Sequence, residues 1–160
     1  MNSKDGYYME LCGVIATQSK CLSRQVGAVA VKEGRILATG YNGPPMKYPH
    51  CGREDDDGKL WCPRKFEGVP SGQGLEDCPA EHAERNVINN AALNGVSLKG
   101  STLYVNELMP CRECAKAIVN SGIAEVVVVK LEEYPEPGLK GLSILLKCFV
   151  KLRKSDEYTM

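Results

Sequence analysis

Neither sign of charge predominates in this 160-residue chain, since Lys plus Arg and Asp plus Glu number 20 each. Proteins that hold DNA or RNA usually carry a basic excess. Its absence argues against a nucleic acid polymer and for a small-molecule partner. No apolar run approaches the roughly 20 residues that a spanning helix needs, so no membrane association is expected. The opening stretch, Met1 to Tyr8, contains Lys4 and Asp5 and has no apolar core, so no secretory signal is visible. The expectation is a cytoplasmic protein. Internal repeats and low-complexity tracts are lacking too.

What is present is an ordinary globular composition, 43% hydrophobic and 25% charged. The length fits one domain spanning residues 1–160 with a single core. Eight cysteines stand out. In a reducing compartment, clustered cysteines read as metal ligands or catalytic groups more readily than as disulfides.

Apolar spacing predicts a first helix over residues 6–19. Two strands follow, Val26–Val31 and Arg35–Tyr41, joined by a tight turn at Lys32-Glu33-Gly34. Residues 43–78 differ in character, holding five of the nine prolines and the run Glu54-Asp55-Asp56-Asp57. So long a segment is unusual as a structureless connection, and something besides an apolar core must order it. A helix is predicted from His82 to Asn94, stopped by Gly95. Thr102–Val105 reads as a strand, Cys111–Asn120 as a helix and Val126–Lys130 as a buried strand. Leu139–Leu152 reads as a closing helix with a short strand. Alternating strands and helices predict an α/β domain with the sheet between helical layers.

His82-Ala83-Glu84 is followed, 26 positions beyond Glu84, by Pro110-Cys111-Arg112-Glu113-Cys114. Cysteines three apart in a first helical turn share a face. The positive helix N-terminus favours thiolates there. An imidazole from His82 supplies a third ligand, leaving the fourth position of a zinc ion open to water. Zinc lowers the pKa of such a water toward about 7. Glu84 is then free to act as the proton carrier. Ala83 is small enough for a planar substrate ring to approach the backbone. Asn86, one turn after His82, is placed to fix either the substrate or the nearby backbone. H-x-E with P-C-x-x-C is the signature of zinc-dependent nucleobase deaminases.

Further stretches carry a narrower resemblance: Ser19-Lys20-Cys21-Leu22-Ser23-Arg24-Gln25-Val26-Gly27-Ala28-Val29, Gly40-Tyr41-Asn42-Gly43, and His82 through Asn86, with Pro110-Cys111 and Cys114-Ala115-Lys116. Together they resemble the deoxycytidylate (dCMP) deaminase family of the cytidine deaminase-like superfamily, over roughly residues 5 to 135. The resemblance implies conversion of dCMP and water to dUMP and ammonia. It implies a three-layer α/β/α cytidine deaminase-like fold with a five-stranded mixed sheet, and a homo-oligomer, often a hexamer. It assigns Asn42 a nucleotide contact, Arg24 a place near the 5′-phosphate, and Tyr134 a place beside the active site.

Cys21, Cys51, Cys62 and Cys78 resemble cysteines that hold a second, structural zinc in bacterial and phage members. A closed four-thiolate site would order the insertion at about 43–78. Cys12 and Cys148 have no partner in this scheme and read as small buried apolar residues. Two other functions stay open. One is a deaminase of another cytosine nucleoside, nucleotide or related base, and the other is a non-catalytic zinc-binding module.

Overall fold

The computed structural model describes residues 3–66, 68–70 and 73–156. Helix α1, Lys4–Ala16, begins where the Ser3 side chain accepts the Gly6 N–H at 3.1 Å. It starts and ends earlier than the 6–19 expected from the apolar pattern. The early start follows from this cap, and Asp5 in the first turn suits the helix dipole. The early end follows from Ser19, whose hydroxyl donates to the Asn42 carbonyl at 2.8 Å.

Strands β1, Gly27–Lys32, and β2, Arg35–Tyr41, form a hairpin. Glu33 and Gly34 at its tip both have positive φ, 52° and 73°, the conformation that tight two-residue hairpins require. Strand β3, Thr102–Val105, pairs antiparallel with β1, while β4, Glu125–Val128, and β5, Lys151–Lys154, add in parallel. The order β2-β1-β3-β4-β5 makes a five-stranded mixed sheet, as the resemblance implied.

Alternation sorts the strand residues between two cores. Val29, Val31, Tyr104, Val127 and Val129 pack with Tyr8, Met9 and Cys12 of α1. Ala28, Ala30, Leu103, Val105, Val126 and Val128 face the other way. They meet residues of α3 (Ala83–Leu93), α4 (Arg112–Asn120) and α5 (Gly141–Lys147). The result is the expected three-layer α/β/α sandwich.

The chain's end holds the expected closing helix and short strand, with the helix shorter and the strand running past Leu152. Helix α5 stops at Lys147, Phe149 takes a left-handed turn with φ 60°, and β5 follows as an edge strand. Its Lys151, Arg153 and Lys154 are the charges that edge strands use against unwanted pairing. Cys148 at the end of α5 is exposed, which corrects its reading as a buried apolar residue. Cys12 is fully buried.

One ion network ties the layers at the sheet's β5 side. Asp5 accepts from the Arg153 guanidinium and, at 3.1 Å, from the Tyr104 hydroxyl, while Arg153 Nε donates to Glu125 at 3.0 Å. The Arg153 contact holds the Asp5 carboxyl below the usual carboxylate range.

The 43–78 insertion contains a short helix α2, Pro63–Phe66, and a 3-10 turn, Leu75–Asp77. Two backbone bonds, from Gly52 N–H to the Trp61 carbonyl and from Trp61 N–H to the Arg53 carbonyl, both 2.8 Å, close a small loop between buried Cys51 and Cys62. Within it, the Asp55 carboxylate accepts the Asp57 and Lys59 N–H groups, so part of the acidic run is a turn. Among the described residues, no helix is long and apolar enough to cross a membrane.

Candidate active site

Two helix N-termini meet beside the sheet. His82 caps α3 and Glu84 lies in its first turn, while Cys111 caps α4 with Cys114 one turn on. Gly40 of β2 lets α3 approach, because a Cβ there would lie 2.5 Å from Val87 N and 2.8 Å from Ala83 O. Gly141 at the start of α5 does the same for α4, since its Cβ would come within 2.0 Å of the Pro110 carbonyl oxygen. Both glycines are needed for close approach rather than for unusual φ.

His82 Nδ1 lies 3.4 Å from Cys111 Sγ and 3.4 Å from Cys114 Sγ. The three ligand atoms all fall within 4.8 Å of one another, and among the described residues they are the only such group. Tetrahedral zinc with ordinary Zn–S and Zn–N bonds separates a sulfur from a nitrogen by about 3.6 Å, so the group fits the ion. The donor set of one imidazole and two thiols is also one that zinc prefers. The Cys111 thiol is pushed down to about 4 by hydrogen bonds from Cys114 and His82, so a thiolate is ready there. The hydrogen bond with Cys111, together with full burial, raises the Cys114 thiol above the usual range. The hydrogen bond to Cys111 raises the His82 pKa.

Glu84 is 7% exposed, and burial pushes its carboxyl above the usual range. It shares a cavity of about 570 Å³ with His82, Cys111, Ala83, Tyr134 and Arg24. The Tyr134 ring stands 5.8 Å from that of His82. Arg24 is exposed at the cavity wall.

Asn42 also lines the cavity, but its amide is engaged with the main chain. Its Oδ1 accepts from Val26 N–H and its Nδ2 donates to the Arg24 carbonyl, both at 2.9 Å. Asn86 lies outside the cavity wall and donates to the Tyr41 carbonyl at 2.8 Å. Asn90, one turn later and unremarked in the sequence, repeats this bond to Thr39 at 2.7 Å. Of the two options left open for Asn86, the backbone is the one it meets.

Arg112 and Glu136 were likewise not singled out from sequence. Glu136 accepts the Arg112 N–H at 2.6 Å, capping α4 from outside, and the Arg112 guanidinium donates to the Pro137 carbonyl at 2.8 Å. This latch fixes the segment that carries Tyr134. The Cys111-x-x-Cys114 motif contained Arg112, but nothing local revealed its target 25 residues away.

Cys21, Cys51, Cys62 and Cys78 do not close to the span of the first group. They are nevertheless neighbours. Burial pushes the Cys51 thiol up to about 11, and its electrostatic coupling to Cys62, Cys78 and Cys21 adds to that rise.

A sandwich with this sheet order and a His-Cys-Cys group beside a buried glutamate defines a zinc-site protein of the deaminase fold class. Comparison makes the assignment specific. The family model described as the cytidine and deoxycytidylate deaminase zinc-binding region matches residues 2–130, and the chain belongs to that family. Deoxycytidylate deaminase of Saccharomyces cerevisiae is 36% identical over 140 residues, covering 88% of this chain and 42% of the yeast protein. That of Enterobacteria phage T4 is 35% identical over 154 residues, covering 81% of this chain and 79% of the phage protein. Thus the chain spans under half of the yeast relative but most of the phage one. The dCMP deaminase of cyanophage S-TIM5, solved in complex with dCMP and dUMP, superposes with a TM-score of 0.70 at 26% identity, covering 96% of this chain and 98% of that one.

Proposed function

We propose that this chain hydrolyses the exocyclic amine of dCMP, giving dUMP and ammonia. The observation that carries this reading is the buried Glu84 beside His82, Cys111 and Cys114, in one cavity with Arg24. The names of the relatives, and the nucleotides bound in the cyanophage structure, support the same substrate.

His82, Cys111 and Cys114 would hold one zinc ion, which when bound supplies a Lewis acid that lets water lose a proton near neutral pH. Glu84 accepts that proton and passes it to the ring nitrogen beside the reacting carbon, then takes the proton of the newly bonded hydroxyl and gives it to the amine, which leaves as ammonia while the carbonyl forms. Its burial favours the protonated form, which suits a carboxyl that must hold the proton between steps. Ala83, without bulk beyond Cβ, leaves the ring room against the α3 backbone. Tyr134 closes over the base, and Arg24 takes the phosphate.

Asn42 offers the nucleotide its remaining donor and lone pair, since one of each is used on the loop between Arg24 and Val26. Asn86 acts one step removed from the substrate, by holding the Tyr41 end of β2.

A second zinc on Cys21, Cys51, Cys62 and Cys78 is supported by the nearness of the other three to the Cys51 thiol and by the burial of Cys51 and Cys62, since a cation there would order the insertion. The chain is then one domain with a zinc-ordered insertion at about 43–78. We assign the working enzyme to the cytoplasm as a homo-oligomer, with a small nucleotide and no nucleic acid polymer as substrate.

The test is ammonia release from dCMP, dCTP, CMP, deoxycytidine and cytidine by zinc-replete protein. Strong preference for dCMP supports the reading, and activity on another substrate with dCMP inert refutes it. Two zinc ions per chain support the second site, and one removes it.

A further inference from the structure

Arg64 belongs to the insertion, two positions after Cys62 and inside α2. It is 6% exposed, yet it lines the same cavity as His82, Glu84 and Tyr134. No ion pair among the described residues includes it. Its Nη1 donates to the Gln73 carbonyl at 2.8 Å and its Nη2 to Ser23 Oγ at a long 3.4 Å, while Nε is buried without a described partner.

A guanidinium stays charged at every working pH, and burying it without an anion is costly. Two further observations indicate which anion would meet it. Arg24, Arg64 and Tyr134 all line the one cavity, and the Tyr134 phenol feels the positive fields of both arginines. Of the five glutamates that line the cavity, Glu136 is held at the Arg112 N–H and Glu113 at Lys116, and none of Glu76, Glu84 and Glu107 forms an ion pair with Arg64.

The seat of Arg64 is also well defined. Ser23, which receives its Nη2, donates its own N–H to Cys21 Sγ at 3.4 Å, and Lys65 donates to the Leu22 carbonyl at 2.9 Å. The insertion is thereby pinned to the loop that carries Arg24.

We propose that Arg64, delivered by the cysteine-rich insertion, binds the phosphate of the nucleotide together with Arg24 and sets the preference for nucleotide over nucleoside. This rests on the reading of the substrate as a nucleoside monophosphate. A phosphomonoester dianion fits the unused donors of a guanidinium fork, and a nucleoside leaves that buried charge unmatched.

The test compares zinc-loaded wild type, Arg64→Gln and Arg64→Lys, full length. The readout is the ratio of kcat/KM for dCMP to that for deoxycytidine. Loss of charge-assisted bonds predicts a fall of this ratio of about 30-fold in Arg64→Gln. A merely structural arginine would lower both substrates together, and an unchanged ratio overturns the proposal. Should Arg64→Gln not fold, Arg64→Lys decides. It keeps the charge and loses the fork, so a ratio lowered by about 5-fold supports the assignment and a wild-type ratio overturns it.

A wild type inert toward dCMP refutes the substrate reading separately. Equilibrium dUMP binding then decides on Arg64. Weaker binding by the variant supports the assignment, and equal affinity, including none, overturns it.

Discussion

Replacing Gly141 with Ala adds one methyl group and should disable the His-Cys-Cys site. A Cβ at Gly141 would sit 2.0 Å from the Pro110 carbonyl oxygen and 2.9 Å from the carbonyl carbon and oxygen of Cys111. All of these are backbone atoms, so no side chain can swing aside. The start of α5 and the Pro110–Cys111 backbone must separate by more than an ångström to restore ordinary contact. Overpacking of this kind costs about 3 kcal/mol, which for a chain of this size lowers Tm by about 6–12 °C. The displaced backbone carries Cys111, so zinc affinity should also fall, by about 10–100-fold as for other disturbed supports of a metal ligand. Gly13 provides the control. It lies inside α1 with nothing within 4 Å of its would-be Cβ, so Gly13→Ala should raise stability by about 0.5–1 kcal/mol. Thermal melts and chelator competition on the two variants read both effects. Equal melting temperatures, or unchanged zinc affinity in Gly141→Ala, would refute the close-approach argument.

The Asp5–Arg153 pair gives a pH prediction. Asp5 is held below its ordinary value of 3.8 by Arg153, so its contribution is complete above that pH and is lost as pH falls through its lower folded value. Asp5→Asn should cost about 1–3 kcal/mol at pH 7 and flatten the acid limb of the stability curve. Superimposable acid melts for variant and wild type would contradict this. Metal removal should unmask Cys111, which lines the cavity, to an alkylating reagent, with zinc restoring protection. Peptide mapping of the label checks this, and labelling of Cys111 at the same rate with and without zinc would argue against the ligand set.

Much of the site was legible because its chemistry is local. His82 with Glu84, and Cys111 with Cys114, lie within one helical turn of each other, so spacing alone placed each pair at a helix start. The hairpin was legible for the same reason, with Glu33-Gly34 marking its turn. Long-range contacts left no such trace. Arg112 reaches Pro137, Arg64 reaches back to Ser23, and Arg153 reaches Asp5 across almost the whole chain. Each of these residues alone reads as a solvated cation. The end of α1 was misjudged because Ser19 is drawn off the helix by Asn42, a tertiary bond that apolar periodicity does not encode. The apolar stretch after Leu139 read as mostly helix, yet Phe149 turns left-handed and releases β5 to the sheet edge. Cys148 was misplaced with it, since a cysteine at the last turn of a short helix is not carried into the core.

The most direct test of the account is ammonia release from dCMP by wild type and Glu84→Gln, matched for zinc content and thermal stability. Proton transfer through Glu84 predicts that the variant binds zinc and folds normally while its turnover falls by about 1,000-fold or more. A zinc-loaded, folded Glu84→Gln that deaminates dCMP at near the wild-type rate would contradict the central claim.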